Sequence, residues 1–392
     1  MKRLLNIIRS ANPADGGPIE VVQRVSRALL AHGWDVELAS LDAPGAPWLR
    51  ESPIPIHALG PVGPVGAGYG YTSRLVPWLR SRSAALDLVV VNGLWQYGSF
   101  GTWRALRAGR VPYVVFPHGM LDPWFKRHYP LKHAKKWLYW PWAEYRVLRD
   151  ARAVLFTSED ERVRARESFW LYRCREEVVA FGTARPPDPE AGERERFFGR
   201  FPALAGKRLL LFLGRMHEKK GCDLLIHAFA SAWRSIPASG DAWHLVMAGP
   251  AVTDAYQQHL DRLVDRAGLS GRVTFLGMLT GESKWAAFRA ADAFVLPSHQ
   301  ENFGVAVVEA LGCGVPVLIS DQVNIWRDVL SADAALVESD DQPGTDRLLA
   351  RWMSLDTAQQ TRMRENAATC FASRFDVHEA AAKMSRLLES LQ

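Results

Sequence analysis

Apolar, strand-length runs alternate with helix-length stretches nearly from one end of the chain to the other, and this alternation limits the possible folds more than any other feature. The runs fall at residues 4–8, 36–39, 88–91, 113–116 and 153–156, and again at 209–213, 244–248, 273–276, 293–296 and 315–319. Strands that take turns with helices in this way build parallel sheets with crossover helices. Between the two groups lie residues 183–196, rich in proline and charge with little to bury, which read as a linker. A chain of 392 residues also exceeds one ordinary core, and its length suggests about two or three domains of ~150 residues. The expected class is therefore α/β, with two Rossmann-like parallel-sheet domains, residues 1–185 and 186–374, facing across a cleft. In open α/β sheets ligands bind outside the carboxyl ends of the strands, so functional residues are sought in the turns that follow strands.

Composition sets outer limits. Hydrophobic residues make up 48% and charged residues 23%, an ordinary globular balance with no disordered segment. The basic start, Met1-Lys-Arg, precedes an apolar run too short for a signal peptide, and no later run approaches the ~18 residues of a membrane span. A cytoplasmic location is expected. Cys174, Cys222, Cys313 and Cys370 are scattered without Cys-x-x-Cys spacing, which suggests neither a disulfide framework nor a zinc site. The net charge of +6 admits acidic partners: phosphate-bearing substrates, nucleic acid or an anionic membrane. Much of that charge sits in residues 124–147, where Lys126, Arg127, Lys132, Lys135, Lys136 and Arg146 face one acid, Glu144. Trp124, Trp137, Tyr139, Trp140 and Trp142 interleave with them. That mixture suits the headgroup layer of an anionic bilayer, and equally a solvated helix whose aromatics face the core.

Several post-strand turns carry chemistry. The first strand leads into Gly16-Gly17-Pro18, where backbone amides can approach an anion ahead of a helix. It is not a Gly-x-Gly-x-x-Gly fingerprint, and an ordinary tight turn explains it as well. After residues 209–213 comes Gly214-Arg-Met-His-Glu-Lys-Lys-Gly221, which places Arg215, Lys219 and Lys220 between a strand end and a helix start, a site for a diphosphate or a solvated basic loop. His118 stands beside Gly119 after residues 113–116. A helix at 304–311, stopped by Gly312, places its first amides at Gly304 and Val305. Glu301 precedes it and Glu309 lies within it, among valines where an unpaired carboxylate would be costly. Cations for phosphates and acids for hydroxyl groups together describe a nucleotide sugar.

Gly214-Arg215…Lys220-Gly221, followed by Glu301-Asn-Phe-Gly-Val-Ala-Val-Val-Glu309-Ala and a trailing Gly-x-Pro-Val, resembles the retaining glycosyltransferases of family four, which have the two-domain GT-B fold. The Glu-x7-Glu spacing is met, and the resemblance extends to Gly16-Gly17-Pro18, to residues 117–124 and to Thr157-Ser-Glu-Asp-Glu161. Around His118 it is similar to members that build bacterial exopolysaccharide and O-antigen chains. The resemblance implies transfer of a hexose from a nucleoside diphosphate sugar, with retention, to a saccharide or lipid-linked saccharide acceptor. It implies that Arg215 and Lys220 bind the diphosphate, that Glu309 accepts from the ribose, and that Glu301 holds sugar hydroxyls beside the amides of Asn302, Phe303 and Gly304. It further places His118 near the transferred sugar, Gly17 near the phosphates and Met278 near the base, and returns a last helix within 375–392 to the first domain.

No cofactor or metal is expected, since the chain has no Asp-x-Asp and Arg215 and Lys220 can supply the ion's charge. The expected partners are the donor, the acceptor and an anionic membrane at residues 124–147, with the enzyme peripheral at the inner membrane face, and no nucleic acid. A nucleotide-sugar epimerase of the same architecture and a non-catalytic nucleotide-sugar-binding protein are the alternatives.

Overall fold

The computed structural model describes residues 1–13, 17–60, 68–234 and 243–392, so Gly16 lies outside the described residues. The chain divides into two compact units, one of residues 1–184 with 374–392 and one of residues 185–373.

The first unit is built on a seven-stranded sheet: β1 (Lys2–Ile8), β2 (Trp34–Ser40), β3 (Ile56–Ala58), β4 (Leu88–Asn92), β5 (Tyr113–Phe116), β6 (Ala153–Phe156) and β7 (Glu176–Val178). Their order is β3-β2-β1-β4-β5-β6-β7, and every pairing is parallel. The strands β4, β5 and β6 are buried at every position, as sheets covered on both faces require. The final helix, Val377–Ser390, packs on the helix Gly17–Leu30. Trp34 Nε1 donates to Ser385 Oγ at 2.9 Å, and Thr183 bridges Asp376. Gly182 permits that approach, because a Cβ there would stand 2.4 Å from the Val377 Cα.

The second unit holds a six-stranded sheet: β8 (Arg208–Leu213), β9 (Trp243–Ala248), β10 (Val273–Gly277), β11 (Ala293–Leu296), β12 (Val317–Ser320) and β13 (Ala335–Glu338). The order is β10-β9-β8-β11-β12-β13, again all parallel. The carboxyl ends of β8, β10 and β11 therefore share one edge of the sheet. No helix among the described residues is long and apolar enough to cross a membrane.

Two expectations need correction. Residues 183–196 are not all linker: a helix, Glu193–Arg200, begins inside them, and Glu193 is buried with its Oε2 accepting from Arg289 Nη1 at 2.7 Å. The strand expected at 315–319 is shifted to Val317–Ser320, after Pro316. Residues 124–147 combine a buried aromatic part with an exposed helix. Trp140 is fully buried and stacks on Phe169 at 4.6 Å, whereas the helix Pro130–Tyr139 buries none of its residues and leaves Leu131 82% and Leu138 78% exposed.

Candidate functional site

In the second unit two loops at the carboxyl edge are stitched together by backbone. The loop after β8 ends on Gly221, whose φ of 65° is left-handed and where a Cβ would stand 2.3 Å from the Pro297 carbonyl oxygen. Within it His217 Nδ1 accepts from the Lys219 amide at 3.0 Å. The Lys219 carbonyl in turn accepts from Ser298 Oγ at 2.9 Å and from the His299 amide at 2.8 Å. The Glu301 backbone is tied on its other side, its amide donating to the Gln322 carbonyl and its carbonyl accepting from the Asn324 amide, each at 3.0 Å.

This stitching brings Lys220 Nζ onto Glu301 Oε2 as an ion pair. Sequence reasoning assigned the two residues to different parts of a ligand, and in this structure each has the other as its partner. Burial, followed by the neighbouring charge of Lys219 and Arg215, pulls the Lys220 ammonium down to about 7. Arg215 is exposed at the same loop.

Glu309 lies on the helix Val305–Gly312 and is only 4% exposed. A buried carboxylate needs a partner, and Lys284 Nζ donates to its Oε1 at 2.8 Å. Lys284 belongs to the helix Gly281–Ala290, and its ammonium lies 4.2 Å from the centre of the Trp285 ring. Sequence reasoning missed Lys284. Gly304 caps the Glu309 helix with a φ of 69°, leaving the first amides of the helix without intrahelical partners. Asn302 Oδ1 accepts from Asn324 Nδ2 at 3.3 Å, Phe303 is buried, and Val305 is half-buried. Met278 follows β10 directly and is 68% exposed. Arg215, Lys220, Met278, Glu301 and the 302–305 turn thus belong to one edge of one sheet.

His118 and Gly17 belong to the first unit. Gly17 opens the helix Gly17–Leu30. His118 follows β5 with a φ of 52°, uncommon for a residue with a side chain. Its ring packs against Phe116 and Phe181, with centroids at 5.7 and 5.6 Å, and those two rings meet each other at 4.8 Å. A polar chain fixes its tautomer: Asn6 Nδ2 donates to Ser26 Oγ at 3.2 Å, and Asn92 Nδ2 donates to Asn6 Oδ1 at 3.1 Å. Asn92 Oδ1 is left as an acceptor 3.0 Å from His118 Nε2, so that nitrogen carries the hydrogen and Nδ1 keeps its lone pair. Glu161, 4% exposed, anchors the turn, its Oε1 accepting from the Gly119 amide and its Oε2 from the Thr157 amide and hydroxyl, each at 2.7 Å.

Burial lowers His118 to about 4, so the ring is neutral near pH 7 and serves as a hydrogen-bond acceptor rather than a proton donor. Between about pH 6.5 and 4 the unfolded chain binds this proton and the folded ring does not, so this residue costs stability as the pH falls through that window. The imidazole resonances are expected to stay those of the neutral Nε2–H tautomer at pH 5.5. In Asn92→Asp the added charge raises the His118 pKa by about 1–3 units. An imidazolium at pH 5.5 in the unsubstituted protein would refute this assignment.

Residues 16–182 match the family described as "Glycosyl transferase 4-like domain", and residues 193–369 match "Glycosyl transferases group 1". Each of these matches spans less than half of the chain. It is 32% identical over 192 residues to a D-inositol 3-phosphate glycosyltransferase of Salinispora arenicola, a match over 46% of this chain and 41% of that protein. It is 26% identical to the lipopolysaccharide core biosynthesis mannosyltransferase LpsB of Rhizobium meliloti, over 62% of this chain and 74% of the relative. Among solved structures, Anabaena Alr3699/HepE in complex with UDP and glucose superposes with a TM-score of 0.77 at 19% identity, covering 100% of both chains. The fold is that of the GT-B glycosyltransferases.

Proposed function

We propose that this chain is a retaining, metal-independent glycosyltransferase that moves a hexose from a nucleoside diphosphate sugar to an acceptor hydroxyl in polysaccharide or glycolipid assembly. The observation that carries the reading is the pair of acids, each held on its own lysine, Glu301 on Lys220 and Glu309 on Lys284, in a domain that matches group 1 glycosyltransferases. Arg215 and Lys220 meet the diphosphate, at a loop where preorganised positive charge stabilises the leaving group in place of a metal ion. Glu309, oriented by Lys284, accepts from the ribose hydroxyls. Glu301 and the amides of residues 302–305 hold the sugar, Met278 lies against the base, and Gly17 offers its backbone to phosphate. In the first unit, His118 Nδ1 accepts from a saccharide hydroxyl.

Retention requires no protein nucleophile when the departing phosphate takes the acceptor proton on the same face, so orientation and charge supply the catalysis. The test is transfer in excess EDTA with the anomeric configuration of the product read by NMR. The expected result is an undiminished rate and a retained configuration. Inversion, or a loss of activity restored by magnesium or manganese, would overturn it. Sugar isomers forming from the donor without any acceptor would favour an epimerase.

We further propose that residues 124–147 lie on an anionic membrane, the support being the exposed Leu131, Trp137, Leu138 and Trp142 among Lys132, Lys135 and Arg146. Each cation near such a surface contributes ~1 kcal/mol. Flotation with anionic vesicles is expected to fall at least tenfold when Lys132 and Lys135 become Glu. Equal flotation with neutral vesicles would refute the idea.

A further inference from the structure

The first unit contains a cavity of about 510 Å³, within the ~300–1,000 Å³ range of small-ligand sites. Tyr69, Tyr71, Trp95, Tyr97, Phe100 and Tyr139 form most of its wall. The rings are fixed by one another. Tyr69 and Tyr139 share a hydrogen bond between their hydroxyls, and Tyr71 meets Tyr97 edge-on at 4.8 Å. Three cations, Arg104, Lys135 and Lys136, also line the cavity. Lys136 lies 4.7 Å from the centre of the Trp95 ring, and burial pulls its ammonium down to about 8, a sign of positive charge short of solvation.

The wall offers a saccharide tyrosine hydroxyls and ring faces, but its only charged groups among the described residues are cations, which favour an anionic ligand. Sugar hydroxyls donate as well as accept, and a sugar site offers carboxylates or amides to receive them. Among the described residues no Asp, Glu, Asn or Gln lines this cavity. The nearby Glu144 is fully buried, its Oε1 accepting from the Trp95 amide and Ser99 Oγ, each within 2.8 Å. Aromatic walls with cations and no acidic lining match a chain that is apolar along its length and anionic at one end. Lys135, Lys136 and Tyr139 belong to the helix Pro130–Tyr139, the same helix that exposes Leu131 and Leu138, so a molecule leaving a membrane reaches the cavity along one element.

We propose that this cavity binds the phosphate-bearing end of a lipid, with the first part of its hydrocarbon chain among the tyrosines and its phosphate on Arg104, Lys135 and Lys136. The lipid is the carrier of the acceptor saccharide, a deepening that rests on the transferase reading above.

The test titrates the full chain with hexyl, octyl and decyl phosphate below their micelle concentrations by calorimetry, and checks that the change in tryptophan emission is lost in Trp95→Phe, a lining residue. Affinity is expected to rise about fourfold per methylene buried. Inorganic phosphate gives no response, and octyl glucoside binds at least tenfold more weakly than octyl phosphate. Arg104→Glu and Lys135→Glu, both at exposed positions, weaken octyl phosphate at least tenfold while the thermal shift with a nucleoside diphosphate is unchanged. Equal binding of octyl glucoside, an affinity independent of chain length, or wild-type binding by both variants would overturn the proposal. Nucleoside diphosphate binding without alkyl phosphate binding would sink this inference alone, and the reverse would sink the transferase reading and with it the carrier role, leaving only a lipid-phosphate site.

Discussion

Lys220→Met is expected to lower sugar transfer by about 10²–10³-fold, the scale for removing one preorganised charge-stabilising group. The loop is built to present this lysine: Gly221 turns left-handed against the Pro297 carbonyl, and the Lys219 carbonyl is held by Ser298 and His299. Without a ligand the ammonium rests on Glu301, and burial with two neighbouring cations holds it down to about 7. A diphosphate prefers the protonated lysine. Burial lowers the pKa of this ammonium, so nucleoside diphosphate affinity should decline as the pH is raised through the lysine's titration, with proton uptake measurable by calorimetry in buffers of different ionisation enthalpy. The substituted protein should show weak, pH-independent binding over that range. Near-normal turnover in Lys220→Met would make the loop a solvated surface feature.

The two acids are expected to fail differently. Glu309→Gln keeps an oxygen for Lys284 but loses the charge that a ribose hydroxyl would meet, and nucleoside diphosphate affinity should fall by roughly 1.5–3 kcal/mol, the scale of a hydrogen bond to a charged group. Lys284→Met should weaken the same binding, because Glu309, 4% exposed, would be left without the cation that orients it. Glu301→Gln should leave nucleoside diphosphate affinity nearly unchanged and lower turnover instead, since a misplacement of ~1 Å can cost about 10² in rate. Equal nucleoside diphosphate affinities in Glu309→Gln and Glu301→Gln, measured by calorimetry, would show that the roles are assigned wrongly.

The central strands were legible because parallel sheets covered on both faces leave unbroken apolar runs, such as residues 88–91 and 153–156. The strands that sequence reading missed, β3, β7 and β13, all stand at sheet edges. They are short and only partly buried, and β7 begins Glu-Glu, as an edge strand facing solvent allows. Glu301 and Glu309 were visible as acids in an apolar stretch. Lys284 was not, because a helical lysine 25 positions away carries no local signal of the carboxylate it meets. Glu161 was quoted only as part of a motif, since its task, receiving the Gly119 amide from 42 positions away, exists only once β5 and β6 lie side by side. The polar chain from Ser26 through Asn6 and Asn92 to His118 depends in the same way on β1, β4 and β5 being neighbours.

The account rests on nucleoside diphosphate binding by the second unit, and a thermal-shift panel of UDP, GDP, ADP and dTDP, in EDTA, tests it most directly. At ~100 times its dissociation constant, one of the four should stabilise the chain by roughly 2.7 kcal/mol, and Lys220→Met should abolish most of that shift. A flat response to all four nucleotides, or a shift that Lys220→Met leaves intact, would contradict it.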